Sequence, residues 1–377
     1  MTDELRKNIK IKILFVIGSF KLGGAERQMV YFIKHVNRLH FKPFVCFFHA
    51  DGPLINEIPD DFVKINFSGK VKGKISKLIY LTKLIFILNP DVVYSNLAGT
   101  NLPLGFVRIF SSIMKRKTRY VISVVNNIDF FSNSIFKYVV RKFYARMDLI
   151  FACASGMYDQ LRDKFGIPEH KLSIMYNGVD IDFIEKRSSE PVSHSWLDSD
   201  MPCLITVASF LPQKKLDDLI KVFEKVNREI SCYLLIVGDG DLRSEIETLA
   251  VSLGVKDRID FLGYQYNSNK YVSRADIFVS TSSFEGMALV LLEAAIVGTP
   301  IVCTDAPFGS RDVVKDETMG VIVGVGDLES LTDGILRMLR DKEHAKMVSA
   351  NAKEHVKTNF DLKTIVKKFE DRIRSII

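Results

Sequence analysis

Glu285 and Glu293 stand eight residues apart in the segment SFEGMALVLLE, residues 283–293. Ionised carboxylates accept several hydrogen bonds and suit hydroxyl-rich ligands, whereas free backbone N–H groups at a helix start suit phosphates. A helix starting near Met287 would leave Glu285 in the loop before it and place Glu293 about two turns along. Gly286 and Met287 would then offer N–H groups at the positive end of that helix. An acid set among Val290, Leu291, Leu292, Ala294 and Ala295 costs free energy unless it is partnered, so Glu293 reads as a ligand-facing group.

Three further loops could handle phosphate. GSFKLGGAER, residues 18–27, places Gly24 where a backbone could approach a ligand closely, although a tight strand-to-helix turn explains the same glycines. SFLPQKK, residues 209–215, sets Lys214 within reach of a diphosphate lying across a sheet edge; the plain alternative is a pair of solvated lysines. Gly238-Asp239-Gly240 starts like a dinucleotide fingerprint, but Arg243 stands where its last glycine belongs, which argues against a nicotinamide enzyme.

Such loops need a frame, and the apolar pattern supplies one. Strand-sized apolar runs at 11–17, 43–48, 92–94, 120–125, 149–154 and 172–176 alternate with helical stretches such as 25–39 and 75–88. The rhythm breaks at SSEPVSHSWLDSD, residues 188–200, and restarts with strands predicted at 203–208, 233–237, 259–262, 277–280 and 301–303. Continuous apolar strands with crossover helices indicate parallel sheets covered on both faces. The expected organisation is α/β, with two doubly wound Rossmann-like domains over 1–187 and 201–360, a linker at 188–200 and a C-terminal helix at 361–377. In such sheets ligands sit at the carboxyl ends of the strands, where the loops above fall.

A chain of 377 residues with 47% hydrophobic and 26% charged residues has the composition of a globular protein of two domains. Its five cysteines are odd in number and scattered in apolar runs, so they read as buried thiols and not as a disulfide frame or metal site. The apolar run after the charged N-terminus is strand-sized, and no window offers about 18 uninterrupted apolar residues, so neither an export signal nor a membrane span is expected. Residues 1–190 carry 29 Lys and Arg against 17 Asp and Glu, a net +12, while residues 191–377 carry 23 against 28, a net −5. The two halves therefore suit different partners. Lys70 to Lys77 and the mixed aromatic and basic stretch 130–146 would suit anionic headgroups or a lipid diphosphate carrier, unless they are ordinary core-facing helices. No nucleic-acid recognition motif accompanies the basic half.

Together these loops resemble family-4 (GT4) retaining glycosyltransferases of the GT-B fold. The strongest part is EGMALVLLEAAIVGTPIVCTD, residues 285–305, which is similar to the family's E-x7-E motif and the turn and strand after it. VASFLPQKKLDDLI, LGGAERQ, YNGVD and VGDGDLR with RIDFLGY are supporting matches. The resemblance implies two domains facing each other across a cleft, with the last helix packing back toward the N-terminal one. It also implies a nucleotide-diphosphate sugar, UDP-linked, as donor, with no cofactor and no metal, and a glycan or lipid-linked acceptor against the N-terminal half. Glu293 would then bind the ribose hydroxyls and Glu285 the sugar. Backbone groups of Gly286, Met287, Ala288 and Leu289 would hold sugar and phosphates, with Lys214 neutralising the diphosphate. Ser209, Gly238, Arg258 and, from the other domain, Gly24 would complete the donor site. Two departures matter. The family's arginine is replaced by Ser209, for which Lys215 or Arg311 could substitute. Its N-domain histidine is absent, which leaves Asn126 or Asn127. The implied enzyme is cytoplasmic and peripheral at the inner face of the cell membrane, acting in surface polysaccharide or glycolipid assembly. The alternatives are a nucleotide-sugar epimerase of the same fold and a non-catalytic sugar-nucleotide binder.

Overall fold

A computed structural model describes residues 10–21, 23–69, 73–125 and 134–377. The chain forms two compact units, the first made of Met1–Gly178 and Leu362–Ile377, the second of Val179–Asp361.

The first unit is built on a seven-stranded parallel sheet: β1 (Ile11–Ile17), β2 (Phe41–Phe47), β3 (Val63–Asn66), β4 (Val92–Ser95), β5 (Arg119–Val124), β6 (Leu149–Ala152) and β7 (Leu172–Ile174). Their order is β3-β2-β1-β4-β5-β6-β7, so the strand order reverses between β1 and β4. Ile13, Phe15 and Ile17 enter a core with Met29, Phe32 and Ile33 of the helix Gly24–His35, while the alternating Leu14 and Val16 are buried on the other face. Burial on both faces is why these strands read as unbroken apolar runs. The helix Leu362–Arg374 joins the same core: Phe369 stacks on Phe32 with ring centroids 4.5 Å apart, and both rings are buried.

The second unit repeats the plan with six parallel strands: β8 (Cys203–Val207), β9 (Tyr233–Val237), β10 (Ile259–Gly263), β11 (Ile277–Ser280), β12 (Ile301–Thr304) and β13 (Val321–Val323). Their order is β10-β9-β8-β11-β12-β13, which reverses between β8 and β11.

Two expectations change. β3 and β13 were not predicted; at four and three residues, edge strands this short leave little period to read. The segment 188–200 is not a linker but part of the second unit. Trp196 stacks on Tyr233 at 4.3 Å, and His194 Nε2 pairs with Asp260 at 3.0 Å. The division falls instead at Gly178, where an added Cβ would meet the Leu362 backbone at 3.0 Å, and at Asp361. All five cysteines are free and buried; burial pushes the Cys203, Cys232 and Cys303 thiols up to about 12, so they stay neutral. No helix among the described residues is long and apolar enough to cross a membrane.

Candidate active site

In the second unit the loops at the reversal point follow β8 and β11, and hydrogen bonds lace them together. Ser283 donates its backbone N–H to the Gln213 carbonyl at 2.8 Å, and Thr281 Oγ1 donates to the Lys214 carbonyl at 2.8 Å. Lys214 ends a short 3-10 turn, Pro212–Lys214, after which Lys215 takes a left-handed conformation (φ 50°) and the helix Leu216–Glu229 begins. Across this junction the Lys214 ammonium donates to Glu285 Oε1, which also accepts from Ser282 Oγ at 2.7 Å. The two charged side chains are only 16% and 11% exposed. A buried ion pair needs supporting hydrogen bonds to offset desolvation, and Ser282, itself buried, supplies one.

The backbone of Glu285 is clamped as well. Its N–H donates to the Pro307 carbonyl at 2.6 Å, and its carbonyl accepts from Phe308 N at 3.0 Å. Thr304 Oγ1 adds a bond to the Ser282 carbonyl at 2.6 Å. These ties hold the chain out of helical geometry, so the helix runs Leu289–Val297 and starts two residues later than predicted. Glu293 therefore lies about one turn inside the helix, not two. That helix is apolar almost all round: Leu291, Leu292, Ala294, Ala295 and Ile296 are buried and Glu293 is half-buried. Gly286 and Leu289 are half-buried at its entrance, and Met287 and Ala288 are buried.

The remaining predicted residues separate into groups. Ser209 is exposed in the loop after β8. Gly238 directly follows β9 with φ 133°, and a Cβ there would come 1.9 Å from the Ala208 carbonyl oxygen, so this glycine serves the close approach of two backbones. Arg258 is not brought to the site. It precedes β10, at the amino edge of a parallel sheet, with its guanidinium over the Tyr233 ring at 5.3 Å and a contact from Nη1 to Met201 Sδ at 3.4 Å. Neither proposed substitute for the missing arginine stands free: Lys215 pairs with Asp218 at 3.8 Å, and Arg311 with Asp305 at 2.7 Å. In the first unit Gly24 starts the helix after β1, beside that sheet's own reversal point, where Asn96 Nδ2 donates to the Ala25 carbonyl at 2.6 Å. Burial raises the Glu26 carboxyl above its ordinary range, with its backbone hydrogen bond and Lys21 opposing the shift. Asn126 and Asn127 lie outside the described residues. Ser282, Thr281 and the 304–308 loop were missed from sequence. Only Ser282, three residues before Glu285, carried a local signal.

Among the described residues no group of three or more His, Cys, Asp or Glu is placed to hold a metal ion. The arrangement offers a cation, a carboxylate and a helix start within one junction, which can bind an anionic, hydroxyl-bearing ligand.

Residues 193–355 match the family described as Glycosyl transferases group 1, and residues 22–183 match Glycosyltransferase Family 4. The chain belongs to the family-4 glycosyltransferases. Among its relatives is the N-acetylgalactosamine-N,N'-diacetylbacillosaminyl-diphospho-undecaprenol 4-alpha-N-acetylgalactosaminyltransferase of Campylobacter jejuni. It is 25% identical over 368 residues, covering 92% of this chain and 95% of the relative. A second Campylobacter jejuni relative, a GalNAc-alpha-(1->4)-GalNAc-alpha-(1->3)-diNAcBac-PP-undecaprenol alpha-1,4-N-acetyl-D-galactosaminyltransferase, is 24% identical, with 92% of this chain and 94% of the relative covered. Among solved structures, Anabaena HepE in complex with UDP superposes with a TM-score of 0.80 over 97% of this chain and 100% of its own, at 21% identity. The glycosyltransferase has the two-sheet GT-B fold of such structures.

Proposed function

We propose that this glycosyltransferase moves a sugar, with retention at the anomeric carbon, from a UDP-linked donor to a hydroxyl of a lipid-linked or polysaccharide acceptor. The observation that carries the reading is the Lys214–Glu285 pair at the reversal point of the second sheet, beside the start of the helix that bears Glu293. Support for the donor comes from structural neighbours, since HepE is solved with UDP and with UDP-glucose. Support for a lipid-linked acceptor comes from the diphospho-undecaprenol named in the Campylobacter relative.

In this reading the bond between the anomeric carbon and the phosphate oxygen breaks, and a bond to the acceptor oxygen forms on the same face. The departing diphosphate oxygen takes the acceptor proton. Lys214 and the N–H groups near Gly286 meet the negative charge as it develops, and pre-placed groups of this kind contribute about 3–4 kcal/mol each to lowering a barrier. Glu285 turns from Lys214 to the sugar hydroxyls when the diphosphate takes the ammonium, and Glu293 holds the ribose. Ser209, Met287, Ala288 and Leu289 line the same junction, whereas Arg258 is left out. No cofactor is assigned, and the protein's own groups carry the charge, so turnover should persist in EDTA.

The test is a thermal-shift screen of nucleotide diphosphates and their sugars, followed by transfer to an undecaprenyl-diphosphate glycan and assignment of the product anomer. UDP or a UDP-sugar should raise the melting temperature, because a ligand bound only by the folded state stabilises it by mass action. If no nucleotide diphosphate sugar shifts the melt, or if the product is inverted, the reading fails. Free epimerised sugar as the product would favour the epimerase alternative.

A further inference from the structure

Glu285 is held twice through one oxygen. Its Oε1 accepts from both the Lys214 ammonium and Ser282 Oγ, while Oε2 makes no hydrogen bond among the described residues. The two donors come from different elements: Lys214 closes the turn after β8, and Ser282 lies two residues beyond the end of β11. They also answer differently to a ligand. An ammonium is drawn to the charged oxygens of an arriving diphosphate, whereas the uncharged Ser282 hydroxyl, on a residue only 3% exposed, is not. Once Lys214 turns to the diphosphate, the largely buried Glu285 carboxylate loses its counterion, and a buried charge left without a partner is costly. Ser282 is the donor that stays.

Ser282 is itself fixed on all sides. Thr304 Oγ1, at the end of β12, donates to the Ser282 carbonyl at 2.6 Å. Its chain neighbours are tied down as well, Thr281 through the Lys214 carbonyl and Ser283 through the Gln213 carbonyl. Thr281, Ser282 and Thr304 are all buried, and away from water such bonds are electrostatically stronger. The chain beyond Thr304 continues the clamp. At Gly309 a Cβ would come 2.7 Å from the Gly286 carbonyl oxygen and 2.9 Å from Met287 Cα, so the two backbones touch. The loop 304–309 thus fixes Ser282, Glu285 and Gly286 together.

We infer that Ser282, buttressed by Thr304, is a positioning residue that keeps Glu285 Oε1 in place when the Lys214 ammonium passes to the diphosphate, leaving Oε2 for the donor sugar. The inference rests on the donor reading above and adds a specificity to it. Recognition by Oε2 falls on a free sugar hydroxyl that can donate to it, so a donor deoxygenated at that position forfeits the contact. A serine that merely stitched the loops together would instead affect UDP and UDP-sugar alike.

The experiment is calorimetric titration of the whole protein with UDP and with UDP-glucose, UDP-galactose and their 2-acetamido forms. The parent is compared with Ser282→Ala, Thr304→Val and Thr304→Ser. Ser282→Ala is expected to leave UDP affinity within about twofold and to weaken the tightest UDP-sugar about tenfold, as for a lost hydrogen bond to a charged group. Thr304→Val should move that ratio in the same direction, and Thr304→Ser, which keeps the hydroxyl, should restore it. Monodeoxy forms of the same UDP-sugar complete a cycle. The form that loses most affinity in the parent should lose less in Ser282→Ala, because both changes remove one contact. A parent that binds neither UDP nor any of the UDP-sugars brings down the donor reading, and this inference with it. If the parent binds but Ser282→Ala weakens UDP and UDP-sugar by one common factor, or weakens neither, the positioning role is overturned and the donor reading stands.

Discussion

The ammonium of Lys214 closes on the carboxylate of Glu285 across 71 residues of sequence, joining the loop after β8 to the loop after β11. Removing either partner leaves the other charge buried without its counterion. Lys214→Met should therefore lower stability by about 3 kcal/mol or more, whereas the double variant Lys214→Met, Glu285→Gln should recover part of that loss. Turnover should fall about 10²- to 10³-fold in the single variant and stay low in the double. Urea unfolding and initial-rate measurements separate the two effects.

Glu293→Gln should weaken binding of the donor about ten- to a hundredfold, the range for losing hydrogen bonds made by a charged acceptor. Arg258→Ala should leave the same constant within about twofold, since Arg258 sits at the amino edge of the sheet. Calorimetric titration of both variants with the nucleotide identified by thermal shift checks the contrast.

Gly238→Ala should destabilise the second unit by about 3 kcal/mol or more, because the new Cβ would press on the Ala208 carbonyl at a φ of 133°. Thermal unfolding reads the loss directly.

Glu185 links the helix Ile181–Ser188 to Lys353 and Lys357 of the helix Lys342–Phe360. The hydrogen bonds from Lys357 and Lys353 hold its carboxyl below the usual glutamate range. A depressed folded-state value means that the stabilisation is complete above the unfolded value and is lost as pH falls through the folded one. Glu185→Gln should thus melt slightly below the parent at neutral pH, and the gap should close as the pH falls below the depressed folded-state value. The effect is small, within about 1 kcal/mol, because all three side chains are at least a third exposed. Melting curves across pH test the sign.

Fold and site were legible to different depths. Apolar runs such as Ile11–Ile17 and Tyr233–Val237 declare buried parallel strands because both of their faces are covered. The same rule fails for Val63–Asn66, where three of four residues are exposed. Glu285 and Lys214 were identified by type and position, but their mutual pairing was not, since it depends on strands β8 and β11 being neighbours although three crossovers separate them in sequence. Arg258 misled because it was carried over from the resemblance alone; a residue directly before a strand of a parallel sheet falls at the amino edge, away from the loops that bind ligands. The segment 188–200 misled for another reason: serine and proline mark a break in regular structure, yet Trp196 and His194 anchor that break against β9 and β10.

Phe369 fills a pocket among Phe15, Phe32, Tyr94 and Phe151, although it is reached only near the end of the sequence. During synthesis on a ribosome the amino-terminal sheet would emerge with that groove open to solvent, while the intervening unit, contiguous in sequence, could fold as soon as it cleared the exit tunnel. Nascent chains stalled short of the last helix would then display bare aromatic surface, a natural handle for chaperones.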